Sequence, residues 1–284
     1  MHEKAIVVLY HAECPDGFAA AWVAWKKFGD MAEYLPMFHN NTSIVGSLSG
    51  RQVYMLDITY EMPVMKELIA RNEVAVLDHH LMRKKEVEAA QKHLFSDNQS
   101  GAGLAWEYFF PEQPMPYLLG LIQEEDLWKF KTENIKEILA AINSLPFPYG
   151  DFVKFGQIVA EVEDVATRAK YIEEGTVVLR YKETLIADML RRANPVTFEG
   201  HDVMCVNSSV YVSEIGNRLA AANNPPFGII WSVRHGKIAV SLRSDGTFDI
   251  AKLAEKYGGG GHKAAAAFTL PLDSLLPWKY RNED

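Results

Sequence analysis

The sequence predicts an α/β protein in which a parallel-sheet domain is followed by a helical connector and a smaller α/β domain with a mixed sheet. In the first half, short apolar runs alternate with helical segments, a pattern typical of a parallel sheet. Apolar residues then recur at roughly helical spacing through residues 151–193, with charges between them. From Pro195 onward, short strands return. We therefore expect domains at residues 1–150 and 195–284, joined by a connector at residues 151–194.

The first domain opens with a strand-loop-helix unit. The predicted elements are strands at residues 6–10, 53–56 and 73–77, and helices at residues 18–28, 63–70, 103–110 and 116–124. His11, Asp57 and Asp78 each fall just past the carboxyl end of a different predicted strand. Because the carboxyl ends of parallel strands meet at one edge of a sheet, these three residues are expected to lie together.

The last domain combines strands and helices differently. Its predicted elements are strands at residues 203–206, 228–233 and 237–242, with helices at residues 213–222 and 249–257. Four consecutive glycines, Gly258, Gly259, Gly260 and Gly261, then precede His262 and Lys263. Such a run is either a flexible turn after a helix or an anion cradle formed by backbone amides. We favour the cradle, because His262, Lys263 and Arg243 could add charge-assisted bonds to a phosphate.

Composition limits the function classes. The 284 residues are 48% hydrophobic, which is ample for a globular core. The net charge of −8 argues against broad adhesion to long nucleic acid, but an anionic substrate held by metal ions remains compatible with it. The first apolar run is too short for a signal sequence or membrane span, and only two cysteines occur. We expect a cytoplasmic protein without membrane association, and the sequence leaves room for a homodimer.

Acidic and imidazole side chains are concentrated near the predicted strand ends of the first domain. The candidate residues are His11, Asp16, Asp57, Asp78, His79, His80 and Asp126. This mixture suits Mn²⁺ and can also hold Zn²⁺ or Fe²⁺, and it exceeds what one ion needs. Two ions that share a carboxylate would activate water for attack on phosphorus, so we expect hydrolysis of a phosphate ester or anhydride. Four other histidines, His39, His93, His201 and His235, are expected at the surface or in turns.

Two motifs together carry a family resemblance. Leu77-Asp78-His79-His80, followed far downstream by the segment from Gly258 to Ala266, resembles the DHH phosphoesterase superfamily with its DHH-associated C-terminal domain. That superfamily includes RecJ-type exonucleases, nano-RNases that degrade very short RNA, and phosphodiesterases of cyclic or linear dinucleotides. The resemblance covers nearly the whole chain and implies a parallel-sheet DHH domain at residues 1–150.

The resemblance implies roles for individual residues of the first domain. Asp57 would bridge two Mn²⁺ ions, with His79 and Asp126 as further ligands. Asp78 would orient the ligands, a function that strongly affects metal affinity. His80 would contact the substrate phosphate or assist proton transfer. Mg²⁺, Co²⁺ or Zn²⁺ could replace Mn²⁺ at such a site.

The resemblance also implies substrate-binding residues. Arg243, the glycine segment Gly258 to Gly261, and His262 match the surface with which the family holds its substrate. Ser100, in the segment Ser100-Gly101, resembles another family position near the substrate.

The chain departs from the family in its first motif. Many members carry an Asp-x-Asp pair there, whereas this chain has Cys14-Pro15-Asp16-Gly17. His11 and Asp16 are the ligands that we choose at this motif. Cys14 is either a soft thiolate ligand that shifts the preference toward Zn²⁺, or a small residue packed under the loop.

The main functional hypothesis is a Mn²⁺-dependent phosphodiesterase that cleaves short oligonucleotides or dinucleotides to 5′-mononucleotides. RNA and DNA, and linear and cyclic dinucleotides, all fit these residues. One alternative is a pyrophosphatase or polyphosphatase that hydrolyses phosphoanhydrides. Another is a nucleotide-binding regulator with a degenerate site. Tyr211, Phe227 and Trp231 would either stack a base or belong to the core.

Overall fold

Two sheets organise the chain in the computed structural model, which describes residues 5–39 and 41–281. The first lies in a unit formed by Met1–Leu179 and the second in a unit formed by Arg180–Asp284. Helices accompany both sheets. The predicted α/β class, with a parallel sheet first and a mixed sheet second, is confirmed.

The first unit alternates strands and helices. Its strands are β1 (Ile6–His11), β2 (Ala32–Met37), β3 (Gln52–Leu56), β4 (Glu73–Asp78) and β5 (Lys92–Phe95). Its helices are α1 (Pro15–Phe28), α2 (Met62–Arg71), α3 (Lys84–Glu88), α4 (Gly101–Phe109), α5 (Tyr117–Asp126), α6 (Ile135–Asn143) and α7 (Phe152–Glu163); α8 (Val165–Arg191) runs on into the second unit. The strands pair in parallel in the order β2-β1-β3-β4-β5.

Both faces of this sheet are covered, and the strand sequences show why. Successive residues of β1 point to opposite faces, so Val8 enters the core shared with α1 and α4, while Val7 and Leu9 enter the core shared with α2. All three side chains are fully buried. Continuous apolar runs are therefore what the central strands need, because a parallel sheet covered on both sides offers no solvent-facing positions.

The second unit is built on a seven-stranded mixed sheet. Its strands are β6 (Asn194–Phe198), β7 (His201–Asn207), β8 (Phe227–Arg234), β9 (Lys237–Ser244), β10 (Gly260–His262), β11 (Ala265–Pro271) and β12 (Trp278–Tyr280). The order is β10-β11-β9-β8-β7-β6-β12. In the part of this sheet that the structure describes, only β7 and β8 pair in parallel, and α9 (Val212–Ala222) connects them. Helix α10 (Ala251–Glu255) precedes the glycine segment.

The strands that the sequence did not indicate are mostly short or at sheet edges. In the first sheet, β2 contains Pro36 and the exposed Glu33, and β5 has only four residues. Edge strands need fewer apolar residues, so the hydrophobic pattern there is weak. Residues 151–194 contain α7 and α8, and the predicted domain bounds stay predictions. Within the described residues, no helix combines the length and apolarity that crossing a bilayer requires.

Gly175 in α8 gives a stability test of the first unit. A Cβ atom there would lie 1.7 Å from the carbonyl oxygen of Glu137 in α6. The backbones of α6 and α8 can therefore approach each other this closely only because residue 175 is glycine. We expect Gly175→Ala to destabilise the protein by about 1–3 kcal/mol, measured as a lower midpoint of urea unfolding. Gly120→Ala in α5 is the matched control, because its Cβ would meet only the side chain of Met115 at 3.8 Å. Equal stability of the two variants would contradict the close helix contact.

Candidate functional site

The carboxyl edge of the first sheet gathers the predicted acidic and imidazole residues. His11 is the last residue of β1, Asp57 follows β3 directly, and Asp78 is the last residue of β4. His79 and His80 continue from Asp78. Parallel pairing places these strand ends side by side, so side chains remote in sequence meet at one edge, as the sequence predicted.

Asp57 lies at the centre of this group. Only 1% of the residue is exposed, and its backbone is in the left-handed region, with φ at 58°. His11 Nδ1 lies 3.3 Å from one carboxylate oxygen, Oδ2, and His79 Nε2 lies 3.2 Å from the other, Oδ1. Nevertheless, no described group makes a well-formed hydrogen bond to the buried Oδ1. A buried carboxylate oxygen in this state is suited to a cation.

Charges around Asp57 keep it ionised. Burial raises the pKa of Asp57, but the hydrogen bond from His11 and the attraction of His79 and His80 outweigh that effect and hold the pKa below its usual range. Conversely, burial lowers the pKa of His79, but its contact with Asp57 and the charges of Asp126 and Asp16 raise it to about 9. The edge of the sheet therefore attracts positive charge, either as protonated imidazole or as a metal ion.

Asp78 orients the two histidines that follow it. Its side chain is fully buried, and Oδ1 accepts hydrogen bonds from the backbone N–H of His79 (2.7 Å) and of His80 (3.1 Å). The same oxygen lies 2.6 Å from His80 Nδ1, while Thr59 Oγ1 donates to Oδ2 at 2.5 Å. With a proton on Nδ1, the Nε2 atom of His80 is left to bind a metal or a phosphate.

His80 also gains positive character from Asp78. Burial lowers the pKa of His80, but the hydrogen bond to Asp78 and its negative charge outweigh this and raise the pKa. An imidazole in this setting carries positive charge over a wider pH range than a free histidine. This favours contact with an anion.

Asp16 is held by the start of α4. Its Oδ2 and Oδ1 accept hydrogen bonds from the backbone N–H of Gly101 at 2.6 Å and of Ala102 at 3.0 Å. The side chain is 1% exposed, and burial, with the negative charges of Asp57 and Asp126, raises its pKa well above the usual value. A bound cation would relieve this repulsion among carboxylates.

Gly101 makes the approach of α4 to the site possible. A Cβ atom at this position would lie 2.5 Å from Asp57 Cβ and 2.9 Å from Asp16 Oδ2. Ser100, just before it, is fully buried, and its hydroxyl caps α4 by accepting the N–H of Gly103. Ser100 thus supports the helix end that holds Asp16; direct contact with substrate stays a prediction.

Among the described residues, three overlapping groups of side chains could hold metal ions, each with its donor atoms within 4.8 Å of one another. They are Asp57 with Asp78, His79 and His80; His11 with Cys14 and Asp57; and Asp16 with His79 and Asp126. Asp126 is at the end of α5, where its Oδ2 lies 3.6 Å from His79 Nε2. The donor types and the unpartnered Oδ1 of Asp57 fit divalent ions.

His39 belongs to the same surroundings, contrary to the expectation that it is an unrelated surface residue. Its ring centroid lies 4.7 Å from that of His11 and 5.7 Å from that of His80. It follows the end of β2 by two residues, so its position could have been predicted had that edge strand been recognised. Desolvation and repulsion from His11 and His80 lower the pKa of His39, which makes it a neutral imidazole at the rim.

The other predicted substrate-binding residues, Arg243, Gly258 to Gly261 and His262, lie in the second unit. Arg243 in β9 is half-buried, and its guanidinium donates to the carbonyl of Leu242 and to Ser213 Oγ. Among the described residues, no carboxylate lies within salt-bridge distance of it, because the nearby Glu214 pairs with Lys182. A half-buried arginine without a carboxylate partner is suited to binding an anion.

The glycine segment turns into a tight hairpin beside Arg243. Gly261 has φ at 145°, and a Cβ atom there would meet the carbonyl of Ala265 at 2.4 Å. His262 pairs with Ala265, which pairs in turn with Arg243, so His262 and Arg243 share one face two strands apart, about 10 Å. Small Ala265 between them leaves that face open. Phe227, by contrast, is fully buried, so it belongs to the core.

Comparison with known proteins finds one matching domain family and two proteins of similar sequence. Residues 208–277 match the DHHA1 domain family. An uncharacterized protein of Acanthamoeba polyphaga mimivirus is 29% identical over 305 residues, which cover 98% of this chain and 70% of the viral protein. The oligoribonuclease NrnB of Bacillus subtilis is 38% identical over 71 residues, covering 25% of this chain and 18% of NrnB.

Solved structures share the fold at low sequence identity. RecJ of Thermus thermophilus, in complex with Mn²⁺, has a TM-score of 0.54 and 16% identity, and the alignment covers 94% of this chain and 50% of RecJ. The pGpG-specific phosphodiesterase PggH of Vibrio cholerae has a TM-score of 0.53 and 15% identity, and the alignment covers 95% of this chain and 94% of PggH. The same fold therefore makes up nearly all of PggH and about half of RecJ.

Gly101 provides a test of the site geometry that leaves every candidate ligand in place. In Gly101→Ala, the new methyl group would push against Asp57 and Asp16, so we expect divalent-metal affinity to fall at least about tenfold. Isothermal titration calorimetry with Mn²⁺ measures this change, and Gly120→Ala in α5 is the control. Unchanged affinity in Gly101→Ala would show that the two carboxylates do not act together in metal binding.

Proposed function

We propose that the chain is a metal-dependent phosphodiesterase of the DHH phosphoesterase superfamily, which cleaves short oligonucleotides or dinucleotides to 5′-mononucleotides. The match of residues 208–277 to the DHHA1 domain family, the fold shared with RecJ and the similarity to oligoribonuclease NrnB support this proposal. The observation that carries the proposal is Asp57, a buried carboxylate that belongs to two donor groups and has one oxygen to which no described residue donates a hydrogen bond. A shared carboxylate between two cations is the arrangement required for two-metal hydrolysis of phosphate esters.

Under this proposal the ligands divide into two sets around Asp57. Asp16, His79 and Asp126 would hold one ion together with Asp57, and His11 would hold the other together with the same Asp57. Mn²⁺ suits these oxygen and nitrogen donors, and RecJ was crystallised with it. Ions held there would supply an activated water molecule and neutralise charge on the phosphate oxygens.

The remaining residues would position the substrate. Asp78 fixes His80 through Nδ1, so the Nε2 edge of His80 can donate to a phosphate oxygen or protonate the leaving oxygen. In the second unit, Arg243 and His262 on one face of the sheet would hold a terminal phosphate, with the glycine hairpin offering backbone N–H groups. Holding a terminus favours short substrates, in keeping with the name of the oligoribonuclease relative.

The acidic surface supports the same substrate class. A net charge of −8 provides little attraction for long nucleic acid, whereas a dinucleotide needs only a few phosphate contacts. Both cysteines are unpaired, which supports the cytoplasm as the compartment that we propose.

The proposal is tested by a substrate panel with Mn²⁺, comprising dinucleotides, longer oligonucleotides, cyclic dinucleotides and pyrophosphate. We expect release of 5′-mononucleotides, identified by chromatography, and a loss of more than about a hundredfold in Asp57→Asn. Asp97→Asn is the matched control, because Asp97 is exposed and its carboxylate accepts a hydrogen bond only from the neighbouring Asn98 side chain among the described residues. Hydrolysis of pyrophosphate alone would support the phosphoanhydride alternative, and nucleotide binding without turnover would support a regulator.

Arg243 tests the contribution of the second unit. In Arg243→Ala we expect KM for a dinucleotide to rise roughly 10–100-fold, because charge-assisted bonds to phosphate are worth about 1.5–3 kcal/mol. Steady-state kinetics would show a smaller effect on kcat. Arg234→Ala is the control, since Arg234 is exposed in the same sheet and donates to the carbonyl of Ser209. Equal KM values for both variants would exclude Arg243 from substrate binding.

A further inference from the structure

Cys14 lies where a metal ligand would be placed. Its sulfur belongs to a group with His11 and Asp57 in which donor atoms are within 4.8 Å of one another. The residue sits at the N-cap of α1, just after Glu13, whose φ of 54° turns the chain sharply. Gly17 permits this turn, because a Cβ atom there would lie 2.5 Å from the carbonyl oxygen of His11.

A second observation concerns Asp57, the carboxylate of the same donor group. Asp57, which is 1% exposed, has a carboxylate oxygen without a hydrogen-bond partner among the described residues. That oxygen, Oδ1, lies 3.2 Å from His79 Nε2, whereas His11 Nδ1 lies 3.3 Å from Oδ2, so Asp57 presents one oxygen to each side of the site. A buried carboxylate between imidazoles, with a thiol in the same donor group, has the donor chemistry of a cation site.

The surroundings of Cys14 differ from those of a cysteine that only fills space. Cys205 shows the second case, since it is 1% exposed and lies in the apolar core of the second unit. Cys14 is partly exposed and sits beside two polar groups of the site. Its neighbours therefore include side chains that can bind a metal ion.

We propose that Cys14, together with His11 and Asp57, binds one of the two divalent ions, and that this position selects Zn²⁺ over Mn²⁺. The inference rests on the proposed metal-dependent function. Thiolate is a soft donor that favours Zn²⁺, whereas the other set, Asp16, His79 and Asp126, is dominated by oxygen and suits Mn²⁺. The two positions would thus differ in the metal that they retain.

Binding requires that the thiol lose its proton. Without a cation, burial and the charge of Asp57 raise the pKa of Cys14, whereas the nearby backbone N–H groups of Gly17 and Asp16 lower it. An adjacent divalent ion reverses the sign of the local field, so Sγ binds the ion as thiolate and the proton passes to solvent. No electron transfer is involved.

Cobalt substitution tests the proposal on the full chain without reference to activity. Metal-free protein is titrated with Co²⁺, and a sulfur-to-cobalt charge-transfer band in the near ultraviolet reports thiolate ligation. We expect the band in the wild-type protein and in Cys205→Ser, and its loss in Cys14→Ser. In Cys14→Asp, elemental analysis after exposure to equal Zn²⁺ and Mn²⁺ should show the retained Zn²⁺ to Mn²⁺ ratio falling at least about tenfold.

The outcomes separate this inference from the proposed function. Two bound Co²⁺ ions without the band, or a band that persists in Cys14→Ser, would overturn the role of Cys14 while leaving the metal site intact. Failure of the wild-type protein to bind Co²⁺ would overturn both proposals. An unchanged metal ratio in Cys14→Asp, with two ions still bound, would overturn the Zn²⁺ selectivity.

Discussion

The burial of the Asp57 carboxylate is the constraint around which the first unit is arranged. Moving an ionised carboxylate out of water costs several kcal/mol unless opposite charge or hydrogen bonds replace the lost hydration. Here His11 and His79 approach its two oxygens, and His80 adds positive charge nearby. The left-handed backbone of Asp57 holds it in that position. Such strain persists only where surrounding structure determines it, as it does between β3 and α4.

Much of the first sheet could be predicted because its central strands obey a simple physical rule. Strands β1, β3 and β4 are buried on both faces, so their sequences are almost continuously apolar and end where polar residues begin. The strand ends then placed His11, Asp57 and Asp78 at one edge. The edge strands do not follow this rule, because solvent on one side of an edge strand permits charged residues and proline in its sequence. The neighbourhood of His39 was missed for that reason, since it depends on recognising β2.

Other features of the site come from backbone geometry that no local pattern displays. The link between Asp16 and the start of α4 joins residues 85 positions apart, and it depends on Gly101 having no side chain. Sequence reasoning named Asp16 as a metal ligand, but its hydrogen bonds to α4 emerge only from tertiary packing. In the second unit, likewise, the alignment of His262, Ala265 and Arg243 in one row depends on the pairing register of strands β10, β11 and β9.

That long link between Asp16 and α4 also bears on biosynthesis. A ribosome makes Gly101 and Asp126 only 85 and 110 residues after Asp16. Until α4 and α5 have docked, the early residues are an incomplete set of donors with weak affinity for cations. Under the proposed function, metal binding would therefore follow the docking of α4 and α5 in the first unit.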